Sequence, residues 1–170
     1  MRLPTGFARL AILAAIAIVL TQGAFAQTKP QRISIGERPK LMLWVGHSYF
    51  FRRANMRPVL FMTWPYKDKP EMLSTVAQQY TIAGNASDAL VIPAGLAFAN
   101  ASSRDPSVDL YHRDKRHPSM AGTYLAACTS YAALVGKTPE GASYTAGLPP
   151  ETAKFLQKVA WDTVRDYYSR

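Results

Sequence analysis

Three short apolar runs, Leu41 to Val45, Val59 to Thr63 and Ala89 to Pro93, constrain the fold of this chain more than any other feature. Each is too short for a helix of ordinary length and is bounded by glycine, proline or a turn-like segment, as buried strands are. Between and after them the spacing turns helical. Asp68, with Glu71 three residues on and Pro70 in the first turn, predicts a capped helix whose apolar face is Leu73, Val76, Ala77 and Tyr80, stopping near Gly84. Gly95 to Ala101 predicts a short helix that ends at the polar cluster from Ser102 to Pro106. Ser119 to Val135 predicts a longer one, with Ala121, Tyr124, Leu125, Cys128 and Ala132 on one face and Gly136 as its stop. The last 21 residues, from Pro150, are expected to form an amphipathic helix through Phe155, Val159, Trp161 and Tyr167. Strand alternating with helix implies an α/β layered fold with parallel strands flanked by helices.

The ends of the chain read differently. Residues 1–26 carry Arg2 and Arg9, an unbroken apolar run of 11 residues from Leu10 to Leu20, and Ala24-Phe25-Ala26. That is the layout of a secretory signal with a small-residue cleavage site, and its core is shorter than the roughly 17–25 residues of a membrane-spanning helix. The expected organisation is therefore a signal peptide over 1–26, a polar leader over 27–40, and a single domain over 41–170. The expected destination is export, periplasmic or extracellular, with no membrane attachment after cleavage. Loss of the signal leaves 18 basic and 11 acidic residues, a net of +7. These charges are scattered, and no run of five basic residues or aromatic-rich RNA signature occurs, so nucleic acid is not the expected partner. Cys128, the sole cysteine, sits among Leu125, Ala126 and Ala127, which implies a packing role and no intramolecular disulfide.

Chemistry concentrates in Asp114-Lys115-Arg116-His117-Pro118, just ahead of the Ser119 helix. A serine hydroxyl is a poor nucleophile near neutral pH and needs an imidazole oriented by a third group. Asp114 and His117 offer such a pair at the carboxyl edge of a parallel sheet, where open α/β sheets hold their sites. Ser48, just past the first apolar run, falls at the same edge. By spacing alone, Asp-x-x-His is a weak signal that more often marks a surface aspartate beside a histidine bonded to a loop carbonyl. Trp64 and Tyr66, at a strand end, are read either as core or rim residues or as flanks of a substrate. His112, Asp109, Asp114 and His117 match no common zinc spacing, so neither a metal nor a cofactor is expected.

The stretch Leu41-Met42-Leu43-Trp44-Val45-Gly46-His47-Ser48 resembles the nucleophile block of the SGNH, or GDSL-like, hydrolases, with His47 where that family commonly has Asp or Asn. Asp109-Leu110-Tyr111 through Asp114, His117-Pro118-Ser119 and Gly122-Thr123-Tyr124-Leu125-Ala126-Ala127 resemble its last block, and Phe61 to Tyr66 and Val91 to Gly95 are similar to its penultimate strands. The resemblance implies a flavodoxin-like three-layer fold and a serine ester hydrolase of the lipase, esterase or acetyl-ester class. It implies Ser48 as nucleophile, His117 as general base and then acid, Asp114 as its orienter, and small-molecule or glycan esters as substrates.

Two of the family's oxyanion blocks, a glycine after the second strand and an asparagine after the third, have no counterpart. Only nine residues separate Ser48 from Pro58. That reaches roughly 30 Å when fully stretched, too little to lay a crossover helix over the sheet, where a dozen or more residues are usual. The expected molecule is a truncated family member of about three parallel strands, impaired in hydrolysis, with exposed sheet that invites self-association. The alternative is a non-catalytic exported binding protein or remnant of the same fold.

Overall fold

The computed structural model describes residues 58–169. The signal-like segment, the apolar run Leu41–Val45 and Ser48 lie outside them. Within them the chain is α/β: β1 (Val59–Phe61), α1 (Met72–Ser87), β2 (Leu90–Ile92), α2 (Ala94–Arg104), α3 (Met120–Val135) and α4 (Pro150–Ser169).

β1 and β2 pair in parallel, with Val59, Leu60 and Phe61 opposite Leu90, Val91 and Ile92. A parallel pair needs a crossover, and α1 supplies it. The sheet is short, yet α3 packs on one of its faces and α1 on the other, with α4 reaching both. Val59, Phe61 and Ile92 cluster with Ala132 and Ala133 of α3 and Val164 of α4. Leu60, Met62 and Val91 cluster with Val76, Ala77 and Tyr80 of α1 and with Tyr167. The largest apolar cluster lies outside the sheet, where Phe98 of α2, Leu110, Leu125 of α3 and Leu156 and Val159 of α4 are fully buried.

Both expected ends of α1 are corrected. α1 starts later than a cap at Asp68 would place it: Glu71 holds the cap position and makes no side-chain capping bond. Tight-turn bonds, Met72 N–H to the Lys69 carbonyl and Leu73 N–H to the Pro70 carbonyl, occupy the first turn's donors. α1 also runs past Gly84 to Ser87 and ends on Asp88 in the left-handed region, while Gly84 packs within the helix against Val91. α2 ends at Arg104, within the polar cluster where its end was expected, and Arg104 is tethered to Asp162 of α4 at 2.7 Å. The later ends fall where expected. Ser119 caps α3 by accepting from the Gly122 N–H, and Gly136, at φ 71°, closes it.

The outer edge of β2 is closed by a side chain. Tyr168 Oη donates to the Val91 carbonyl at 2.5 Å and accepts from the Val91 N–H at 3.1 Å. Tyr167 next to it shares a 2.8 Å hydrogen bond with Thr81 of α1. The aromatic end of α4 thus stitches the sheet edge and the crossover helix together. Among the described residues no helix is long and apolar enough to cross a membrane.

Candidate functional site

The dyad lies on a tight hairpin between α2 and α3. Tyr111 bridges Pro118 in antiparallel fashion, the His112 N–H donates to the His117 carbonyl at 2.8 Å, and the Lys115 N–H donates to the His112 carbonyl at 2.9 Å. Lys115 is left-handed at φ 62°, a conformation that costs a non-glycine residue of order 1 kcal/mol. The hairpin must therefore be held by its surroundings, and it is. Trp64 Nε1 donates to the Arg116 carbonyl at 2.9 Å, the Lys67 N–H to the Lys115 carbonyl at 2.9 Å, and Tyr111 Oη to the Pro65 carbonyl at 2.9 Å. Burial pushes the Tyr111 phenol up to about 12, so it remains a donor at neutral pH.

Asp114 and His117 meet as the spacing implied. His117 Nδ1 lies 2.5 Å from Asp114 Oδ2, while Asp114 Oδ1 accepts from the backbone N–H groups of Arg116 at 3.0 Å and His117 at 2.9 Å. One carboxylate therefore orients the ring and the loop together. The hydrogen bond from the His117 ring, followed by those from the Arg116 and His117 backbone, holds the Asp114 carboxyl well below the usual carboxylate range. The His117 side chain is 80% exposed, and among the described residues only Nδ1 of its ring has a hydrogen-bond partner. Its Nε2 edge is open to a reacting group.

α3 begins directly behind the dyad, and its approach is unusually close. Ser119 Oγ donates to the Asp109 carbonyl at 2.7 Å, and its N–H to the Leu110 carbonyl at 2.9 Å. A Cβ at Gly122 would lie 2.2 Å from the Leu110 carbonyl oxygen and 2.9 Å from Phe98. Only glycine lets the helix seat against the hairpin.

The two aromatic candidates divide. Trp64 stacks on buried Phe98 with ring centroids 4.4 Å apart and planes 9° from parallel, so its ring is a wall of the core and its indole N–H a strut for the dyad loop. Tyr66 is half-buried, and the Arg116 guanidinium rests 5.0 Å above its ring. Asp109, weighed as a metal ligand, instead pairs with Lys67 at 2.9 Å and accepts from the Tyr111 N–H at 3.1 Å. Among the described residues no three ligand-type side chains gather as a metal site.

Sequence reasoning missed Tyr111, Lys67 and Arg116 as parts of the site. Arg116 and Tyr66 are 50 residues apart, and no local spacing links them. A cleft of about 330 Å³ opens at the base of the hairpin, lined among others by Tyr66, Lys67, Leu73, Ser102, Asp109 and Tyr111.

No family model matches the chain, and no curated protein matches it. Among solved structures it is similar to the crystal structure of a DUF4886 family protein from Bacteroides uniformis ATCC 8492, with a TM-score of 0.58 and 24% identity over 68% of this chain and 50% of that one. The chain thus spans about half the length of that protein. What the likeness shows is the fold, a small α/β domain.

Proposed function

We propose that this chain is an exported serine hydrolase of the SGNH type acting on carboxylic esters. The observation that carries the reading is the Asp114–His117 pair, in which one carboxylate oxygen fixes Nδ1 and leaves the opposite ring edge open. In the reaction, Ser48 Oγ attacks the ester carbonyl while His117 Nε2 takes its proton. His117 returns that proton to the alcohol oxygen as the bond from the carbonyl carbon to that oxygen breaks, leaving the acyl–serine ester. Water, deprotonated by the same nitrogen, then releases the acid and restores Ser48. Asp114 holds the ring in one tautomer throughout.

The reading extends to the flavodoxin-like three-layer arrangement. It is supported by the packing of α1 and α3 against opposite faces of the described sheet. The Ser48 N–H serves as the oxyanion donor, and two further donors have no counterpart in the sequence. Each such donor is worth about 10²–10³ in rate, so turnover is slow.

A fluorophosphonate probe tests the reading, because it reports nucleophile activation without needing turnover. It labels the intact chain at Ser48, leaves Ser48→Ala unlabelled, and labels His117→Ala far more slowly. Absence of labelling overturns the hydrolase in favour of a non-catalytic binding protein of the same fold. Brisk hydrolysis of p-nitrophenyl acetate, abolished in Ser48→Ala, refutes the impairment.

A further inference from the structure

Around the dyad, cations outnumber acids and the acids are already engaged. The two segments 65–69 and 109–117 carry Lys67, Lys69, Arg113, Lys115 and Arg116 against Asp68, Asp109 and Asp114. Asp114 is held by His117, Asp109 by Lys67, and Asp68 lies 4.0 Å from Lys115. Among the described residues no carboxylate pairs with Lys69, Arg113 or Arg116. The segments are also bound to each other by the Lys67 N–H to Lys115 carbonyl bond, so the charges sit on adjoining exposed segments.

Arg116 is the best placed of these cations. Its carbonyl is fixed by Trp64, its N–H by Asp114, and its guanidinium by the Tyr66 ring. A guanidinium so placed keeps its forked donors for an oxyanion, and little side-chain freedom remains to be lost on binding. Tyr66, on whose ring the guanidinium rests, also lines the cleft, which at about 330 Å³ is at the small end of the range of ligand sites.

We propose that the ester substrate is borne on an anionic glycan, with its carboxylates held by Arg113, Lys115 and Arg116 and a sugar ring seated in the cleft between Tyr66 and Tyr111. The inference rests on the hydrolase reading for the ester and on the surface alone for the glycan. An anionic membrane fits the surface less well, because interfacial binding needs several apolar side chains beside the cations. Of the large exposed hydrophobics among the described residues, Ile82, Met120, Tyr131, Val135 and Tyr144, only Met120 adjoins the hairpin in sequence.

The test is calorimetric titration of the full chain with trigalacturonate and with neutral maltotriose, alongside the fluorophosphonate assay. Trigalacturonate binds and maltotriose does not. The dissociation constant rises at least about tenfold in Arg113→Gln/Arg116→Gln, and by a similar factor between about 0.05 and 0.5 M salt. Lys154→Gln/Arg165→Gln, an equal charge change at exposed positions of α4, leaves it unchanged, and a thermal melt of each variant verifies folding. Equal affinity for the two sugars, no binding to either, or preferential binding to phosphatidylglycerol vesicles overturns the proposal. Labelled Ser48 without trigalacturonate binding sinks the glycan inference alone, whereas binding without labelling sinks only the hydrolase.

Discussion

Replacing Tyr168 by phenylalanine removes one oxygen and orphans two backbone groups of β2. Val91 is 3% exposed, and its outward N–H and carbonyl both bond to the Tyr168 hydroxyl, at 3.1 and 2.5 Å. Each buried backbone group left without a partner costs about 1–3 kcal/mol. The Tyr168 side chain is itself half-buried, which lets water recover part of that loss. The expected destabilisation is therefore near the lower end of the two-group sum, about 2–3 kcal/mol.

The phenylalanine ring preserves the edge-to-face contact with Tyr167, whose centroid is 5.0 Å away, so the loss is polar and not a cavity. For a domain of this size the change corresponds to a fall in Tm of roughly 10 °C. Urea unfolding followed by circular dichroism measures it directly, with an unchanged m-value expected. Tyr167→Phe is the internal comparison. Its hydroxyl bonds to Thr81, which also donates to the Ala77 carbonyl at 2.8 Å, so fewer groups are stranded and about 1 kcal/mol is lost. A loss below about 0.5 kcal/mol in Tyr168→Phe, or one no larger than in Tyr167→Phe, would refute the claim that this hydroxyl closes the sheet edge.

Two further predictions concern the site. Because the folded state depresses the Asp114 carboxyl, the interaction is in place above the ordinary carboxylate value of about 3.9 and is lost only as pH falls through the lower folded value. Carbon-detected NMR titration from about pH 7 to pH 4 should show Asp114 still ionised, and a midpoint at or above about 3.9 would contradict the geometry. Gly122→Ala gains up to about 1 kcal/mol of helix propensity but places a Cβ 2.2 Å from the Leu110 carbonyl oxygen. α3 must then retreat from the hairpin, with a net cost of about 1–2 kcal/mol and slower fluorophosphonate labelling. Unchanged melting and labelling would mean that the close approach does not position the dyad.

Features set by neighbours three or four residues apart were legible in the sequence. The Ser119 cap, the Gly136 stop, the buried face of α3 and the Asp114–His117 pair are all of this kind, because the chain itself brings their members together. The β1–α1–β2 alternation was legible for the same reason, since apolar period and turn residues are local. The Asp68 cap and the Gly84 stop misled because each signal was locally sound but outweighed: turn carbonyls took the first donors, and Gly84 was wanted against Val91. What tertiary structure alone decided spans 34 to 77 residues. It made Trp64 a wall against Phe98 and a strut for Arg116, set Arg116 over Tyr66, turned Asp109 to Lys67, and brought Tyr168 to the edge of β2. A sequence supplies the donors, rings and charges for such contacts. Which of them meet depends on how helices and sheet close around a shared core, and no periodicity along the chain encodes that choice.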